Sequence, residues 1–296
     1  MIKIKRFFAI ALAAVLVSIS AGGCFLIEKP AAPAAVSYKL VFDSKNDLGI
    51  KVAETALKSV VEIRVAFGTG ESAKWSGTSS GVIIGAANGR TYIITNNRVI
   101  SGETLTGTPS KIEVLHTLSG VKTDVGSGNI LKLTNAPDTK NVSDLALFWI
   151  PYSDGHTPCA YSEDVSFGQP VMAAGNLLEY GMSVCDGVIG SPSAYIELKR
   201  AGAIWFKGSV ILHSAAVNGG SAGGGLFDMK ANLIGINTVK AETPAPNDDP
   251  EQSGSVFADS LGFALDMKHV VKFVEDYTET QKGVPDGNYF TMLKTV

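Results

Sequence analysis

The stretch from Val217 to Asp228 reads Val-Asn-Gly-Gly-Ser-Ala-Gly-Gly-Gly-Leu-Phe-Asp, and positions 219 to 225 hold five glycines. Glycine loses more backbone freedom on folding than any other residue, so this run opposes both helix and strand. Such a run suits a loop folded so tightly that its amides point at a ligand, with Leu226 and Phe227 dropping it into a core. That loop needs a rigid frame, and the rest of the chain reads as one. Val60 to Val65, Gly81 to Ile84, Thr91 to Thr95, Lys111 to Leu115, Ile130 to Leu133 and Leu145 to Ile150 are short β-branched or apolar runs divided by Gly, Asn, Asp and Pro. A second set follows at Pro170 to Gly175, Gly181 to Ile189, Ala203 to His213 and Leu233 to Val239. Regular punctuation of this kind predicts closed antiparallel sheets, hence an all-β class. Helical spacing occurs at Leu48, Val52, Ala56 and Leu57, and again at Val270, Val271, Phe273, Val274 and Tyr277 behind Asp266 as N-cap. Thr243 to Gln252 is too rich in acids and prolines for a strand and is predicted to be a surface loop.

The N-terminus carries Lys3, Lys5 and Arg6 before an uncharged apolar run from Phe7 to Ile19, too short to span a bilayer comfortably. Residues 1–23 are therefore expected to be a signal peptide. Ser20-Ala21-Gly22-Gly23-Cys24 resembles a bacterial lipobox, which predicts acylation at Cys24 and an exported lipoprotein of the bacterial cell envelope, touching the membrane only through that lipid. The alternative is ordinary secretory cleavage nearby. Residues 24–44, with Pro30-Ala31-Ala32-Pro33-Ala34-Ala35, have few groups able to build a core and read as a tether. The formal net charge of −3 becomes more negative still when the basic leader is removed, which gives no support to nucleic-acid binding. With Cys24 acylated, Cys159 and Cys185 remain as a candidate disulfide in an oxidising compartment, the alternative being two buried thiols. The four histidines, His116, His156, His213 and His269, lack metal-ligand spacing, and no motif predicts a metal or cofactor.

The segment Ser214-Ala215-Ala216-Val217-Asn218-Gly219-Gly220-Ser221-Ala222-Gly223-Gly224-Gly225-Leu226-Phe227, followed by Leu233-Ile234-Gly235-Ile236-Asn237-Thr238, resembles the nucleophile region of HtrA-type (DegP-like) trypsin-fold serine proteases. There the pattern runs Asp-Ala-Ala-Ile-Asn-Pro-Gly-Asn-Ser-Gly-Gly-Pro-Leu-Phe. Thr95-Asn96-Asn97-Arg98-Val99 resembles the segment that carries the catalytic base as Thr-Asn-Asn-His-Val, and Ser143-Asp144-Leu145-Ala146-Leu147 resembles Asp-Leu-Ala-Val-Leu. Gly168-Gln169-Pro170-Val171 through Gly187-Val188-Ile189 is a fourth match in the same order. The resemblance implies a double six-stranded antiparallel β-barrel with a short N-terminal helix and a C-terminal helix. Its parts would be residues 45–150 and 151–260 for the two barrels, 261–279 for the helix and 280–296 for a tail, without the PDZ domain that many members carry.

Set against that pattern, the triad is not intact. The nucleophile position is Ala222, which has no hydroxyl to acylate. The base position is Arg98, whose guanidinium has donors only and a pKa above ~12. Asp144 keeps the orienting carboxylate. The resemblance further places an oxyanion-type pair of amides at Gly220 and Ala222, a pocket floor near Ala216 favouring small or apolar side chains, and a peptide-binding strand edge at Thr238, Val239 and Lys240. His213, where the family usually has Thr, is expected to be structural. The function expected is a catalytically dead envelope module that binds extended or unfolded polypeptide. The alternatives are a serine endopeptidase with an unconventional arrangement, in which Ser221 serves through a one-residue slip, and a purely structural lipoprotein.

Overall fold

The computed structural model describes residues 48–68, 74–102, 109–134, 144–153, 155–200, 203–244, 255–284 and 289–295. The expected signal peptide, Cys24 and the tether lie outside them.

Seven strands form the first sheet: β1 (Val60–Phe67), β2 (Lys74–Ala87), β3 (Arg90–Thr95), β4 (Lys111–His116), β5 (Val121–Val125), β6 (Ile130–Leu133) and β7 (Ala146–Pro151). Their order is β5-β4-β1-β2-β3-β7-β6, with every pair antiparallel. Successive side chains of a strand point to opposite faces, and the sequence uses both. Val61, Ile63, Val65, Ile83 and Ile93 enter one buried cluster. Their neighbours Val60, Val82, Ile84, Tyr92 and Ile94 enter another, shared with Phe206, Val210, Phe227, Leu233 and Leu265 of the second half of the chain. The central strands are therefore apolar on both faces. One face fills a barrel and the other fastens the two halves together.

The second sheet contains β8 (Ala160–Tyr161), β9 (Pro170–Asn176), β10 (Met182–Arg200), β11 (Ala203–His213), β12 (Gly225–Asp228), β13 (Leu233–Pro244), β14 (Ser255–Asp266) and β15 (Leu293–Lys294). Six of these close into a ring, β12-β9-β10-β11-β14-β13, because β13 pairs back onto β12. Val171, Ala173, Ile189, Ile211, Leu226, Ile234 and Ala264 fill it. A short helix, α1 (Leu48–Ala56), precedes β1; α2 (Asn97–Ser101) follows β3; and α3 (Met267–Gln281) follows β14. Asp266 caps α3 by accepting from the His269 backbone N–H at 3.0 Å, and the His269 ring adds a 2.8 Å contact to the same oxygen. The fold is the all-β double barrel with a helix towards each end that the resemblance implies.

Several elements differ from expectation: β14 extends through residues 261–266, so the closing helix begins at Met267, and β15 lies in the expected tail. β10 runs on to Arg200, past Ile189, to form a long hairpin with β11, and register shifts around Ser191 absorb Pro192, which would otherwise break the ladder. β13 continues through Thr243 and Pro244, the first two residues of the expected surface loop, while 245–254 lie outside the described residues.

The candidate disulfide is not formed: Cys159 and Cys185 are both free thiols. Cys159 belongs to the cluster between the two halves and donates its thiol to the Ile83 carbonyl at 3.4 Å. Val184 packs against that same cluster, so strand alternation turns its neighbour Cys185 to the opposite face. Burial pushes the Cys159 thiol up to about 12, and Cys185 is raised as well but half-exposed. Iodoacetamide at neutral pH should therefore modify Cys185 and spare Cys159 in the folded protein, and modify both after unfolding without reductant. A peptide map in which the two cysteines resist alkylation until reduced would contradict this.

Candidate functional site

The chain leaves β11 at His213 and re-enters the sheet at Gly225, and the segment between is the glycine hairpin. Ser221 closes its first turn. The Ser221 backbone N–H donates to the Asn218 carbonyl at 3.1 Å, its hydroxyl donates to the same carbonyl at 2.6 Å, and Asn218 N–H donates back to that hydroxyl at 3.0 Å. With Ser221 only 2% exposed, its hydroxyl is engaged inside the turn. Ala222 comes next, half-buried against the first-barrel cluster, its carbonyl accepting from Ser80 N–H at 3.0 Å.

Two carbonyls set the direction of two amides. Gly219 C=O accepts from Leu178 N–H at 2.6 Å, and Ser221 C=O accepts from Gly224 N–H at 3.0 Å. Both following peptide bonds are trans, which sets each N–H opposite its carbonyl. The Gly220 amide therefore points away from the Leu177–Glu179 turn, and the Ala222 amide away from Gly224. Among the described residues neither amide has an acceptor. The glycine at 220 is obligatory: its φ is +90°, and a Cβ there would overlap the Asn176 carbonyl oxygen. Ser80 locks the arrangement by donating its hydroxyl to Gly220 C=O at 2.8 Å while accepting from Asn176 N–H at 2.8 Å.

Arg98 lies in the single turn α2, directly after β3, and Asp144 directly before β7, the neighbour of β3 in the sheet. The Asp144 side chain is 1% exposed and that of Arg98 21%. Arg98 N–H donates to Asp144 Oδ1 at 2.9 Å, its Nη1 donates to Asp144 Oδ2, and its Nη2 donates to the Thr238 carbonyl. Asn96 braces the same corner, with Nδ2 donating to Asp144 C=O at 2.9 Å and to Thr238 Oγ1 at 3.1 Å. A cation thus spans from the carboxylate of the first barrel to a carbonyl of the second. It can donate hydrogen bonds and stabilise negative charge, and it has no lone pair with which to take a proton.

Thr238, Val239 and Lys240 lie on β13 beyond Ile236, the last residue that β12 pairs. On its other side β13 pairs β14, with Val239 opposite Phe263 and Lys240 opposite Gly262. Gly223 N–H donates to Asn237 C=O at 2.8 Å, so the hairpin leaves β13 one residue before Thr238. The structure thus brings Arg98, Asp144 and Thr238 to one corner, and the glycine hairpin is tied to β13 next to it. Ala216 lies between buried Ala215 and Val217, and a Cβ on Gly262 would press on Val217 and on the His213 ring. His213 is fully buried, its nearest polar groups being the Ala215 backbone and the Asn237 side chain; burial pushes it down to about 4. Two other histidines face hydroxyls, His116 with Ser119 Oγ at 2.7 Å and His156 with Thr91 Oγ1 at 3.0 Å. Thr91 lies at the far end of β3 from Arg98, so neither histidine is part of this corner.

The Trypsin-like peptidase domain profile matches residues 79–236, more than half of the chain. The chain belongs to the trypsin-like peptidase family. Among curated relatives it is 29% identical over 236 residues to the serine protease Do-like HtrA of Lactobacillus helveticus, covering 73% of this chain and 49% of that protein. It is 27% identical over 225 residues to the periplasmic serine endoprotease DegP of Salmonella typhimurium, covering 72% and 39%. The chain thus spans about half the length, or less, of these curated relatives. A solved structure of a variant of the HtrA-type protease AlgW with tripeptide shares the fold, with a TM-score of 0.55 and 23% identity over 77% of this chain and 62% of that one.

In this trypsin-like chain, motif matching finds the reactive positions and misses their supports. Asn96 and Asn176 sit inside matched segments as buried polar residues at strand ends, and Ser80 is a buried hydroxyl within β2. That placement was the available signal. Two outcomes follow. Gly220→Ala should destabilise the protein by about 2 kcal/mol or more, read by urea unfolding. His213 remains neutral in the fold down to about 4 but takes a proton at its ordinary 6.5 when unfolded, so stability falls as pH drops through that window. His213→Thr should flatten the pH dependence of the melting temperature there, leaving the smaller slope from His116 and His156, which burial also lowers.

Proposed function

We propose that this chain has lost peptide-bond cleavage and binds extended polypeptide in the cleft between its barrels. The observation that carries this reading is the Arg98–Asp144 pair at the place of base and orienter. A serine nucleophile needs a proton acceptor held by a carboxylate, and the carboxylate here is held by a permanent cation instead. Ala222 supplies no attacking oxygen, and the hydroxyl of its neighbour Ser221 is engaged in its own turn. Peptide binding is supported by β13 running on through Val239, past Ile236, the last residue that β12 pairs, since a strand edge accepts an extended chain by main-chain pairing. Ala216, near the pocket floor by the resemblance, favours small or apolar side chains. We place the protein in the bacterial envelope, anchored by acylated Cys24. The leader sequence supports this, as does the periplasmic serine endoprotease DegP among the relatives.

Incubation with unfolded casein and with a fluorophosphonate probe should give neither cleavage nor labelling. Ala222→Ser alone should remain unlabelled, because Arg98 cannot activate it, whereas Ala222→Ser combined with Arg98→His should label. Probe found on Ser221 of the natural protein, or casein fragments accumulating with it, would overturn the reading.

A further inference from the structure

We propose that His116 and His156 form an acid-responsive latch on the segment that joins the two barrels, closed while both rings are neutral and opening as the surroundings turn acidic. β7 ends at Pro151 and β8 begins at Ala160, so the chain from Gly155 to Cys159 lies on the passage from the first sheet to the second. His156 stands on that passage, and His116 ends β4. Their rings meet edge to face with centroids 5.1 Å apart, His116 being 1% and His156 4% exposed. Beyond the histidines the passage is held by Thr157 N–H to Lys58 C=O at 3.4 Å and by Cys159, whose N–H donates to Ile83 C=O at 3.2 Å. These two bonds are long, so the packed rings carry much of the closure.

The bonding suits neutral rings. His116 Nε2 faces the Lys58 carbonyl at 3.0 Å, which can only accept, so Nε2 carries the hydrogen and Nδ1 accepts from Ser119 Oγ at 2.7 Å. His156 Nδ1 faces Thr91 Oγ1 at 3.0 Å. Among the described residues no carboxylate pairs with either ring. Tyr152 lies with its ring 6.3 Å from that of His156, and the Cys159 thiol is turned to Ile83 C=O. Glu62, on β1, is engaged by Thr117 Oγ1 at 2.9 Å and by Asn176 Nδ2 at 2.8 Å. Asp154 lies outside the described residues. A proton on either ring therefore adds a buried charge with no anion opposite, and a second proton sets two like charges side by side. Burial accordingly lowers both histidines below their ordinary 6.5. The closed form thus holds its full advantage above 6.5 and loses it as pH falls, because opened, hydrated rings take protons first. Opening gains up to about tenfold per pH unit for each histidine.

The test labels Cys159 of the full-length protein with 4,4′-dithiodipyridine, a reagent that reacts with thiols in acid as well as at neutral pH. Rates are taken at pH 7 and pH 5, in urea concentrations below the unfolding transition, each relative to unfolded protein at the same pH. Labelling at pH 5 should be at least about tenfold faster and change little with urea, because a local opening exposes little surface. Half-exposed Cys185 should react at both pH values and serves as the internal reference. The double variant His116→Gln with His156→Gln, whose amides do not titrate, should label at one slow rate throughout. An unchanged Cys159 rate, a rate at pH 5 that climbs steeply with urea as global unfolding requires, or an acid response that survives in the double variant overturns the inference. Should the double variant fail to fold, the imidazole Hε1 signals of the natural protein decide by nuclear magnetic resonance: titration of both below 6.5 supports the latch, and titration of either at or above 6.5 overturns it.

Discussion

The Asp144 carboxylate, 1% exposed, is the constraint on which the cleft depends. An ionised carboxylate buried to that degree is tolerated only with a partner that supplies both charge and hydrogen bonds. Arg98 does so twice, through its backbone N–H and through Nη1, and Asn96 ties the neighbouring carbonyl. The same guanidinium reaches the Thr238 carbonyl in the other barrel. An arginine at this position leaves the carboxylate satisfied by a group that donates hydrogen bonds and has no lone pair to take a proton.

The glycine hairpin is held by an equally small set of contacts. Ser80 reaches from β2 to Gly220 C=O and Asn176 N–H, and Thr95 at the end of β3 donates to Ser80 C=O at 2.7 Å. Gly223, with a φ of +83°, passes so close to Thr95 and Ser80 that no side chain fits. These contacts from β2, β3 and Asn176 hold the hairpin between His213 and Gly225 in one conformation.

Much of this was legible in the sequence because it depends on local pattern. Short β-branched and apolar runs such as Val60 to Val65 and Tyr92 to Ile94 announce strands, Asp266 announces its helix, and the glycine run with Arg98 and Asp144 marks the corner. What could not be read depends on distance across the fold. The Arg98 contact with Thr238 joins residues 140 positions apart, and whether Cys159 and Cys185 meet depends on which face of β10 each neighbour takes. The hairpin also runs past Pro192, where bulges that local pattern does not show let the ladder continue.

The central claim is that Arg98 and Asp144 act as one unit in place of base and orienter. A double-mutant cycle with Arg98→Gln and Asp144→Asn, read by equilibrium unfolding, tests it most directly. Each single change strands a buried polar or charged partner, so the account predicts a coupling of at least about 2 kcal/mol, with the double variant recovering part of the loss. Additive losses, within about 0.5 kcal/mol, would mean the two side chains do not depend on each other and would contradict the account.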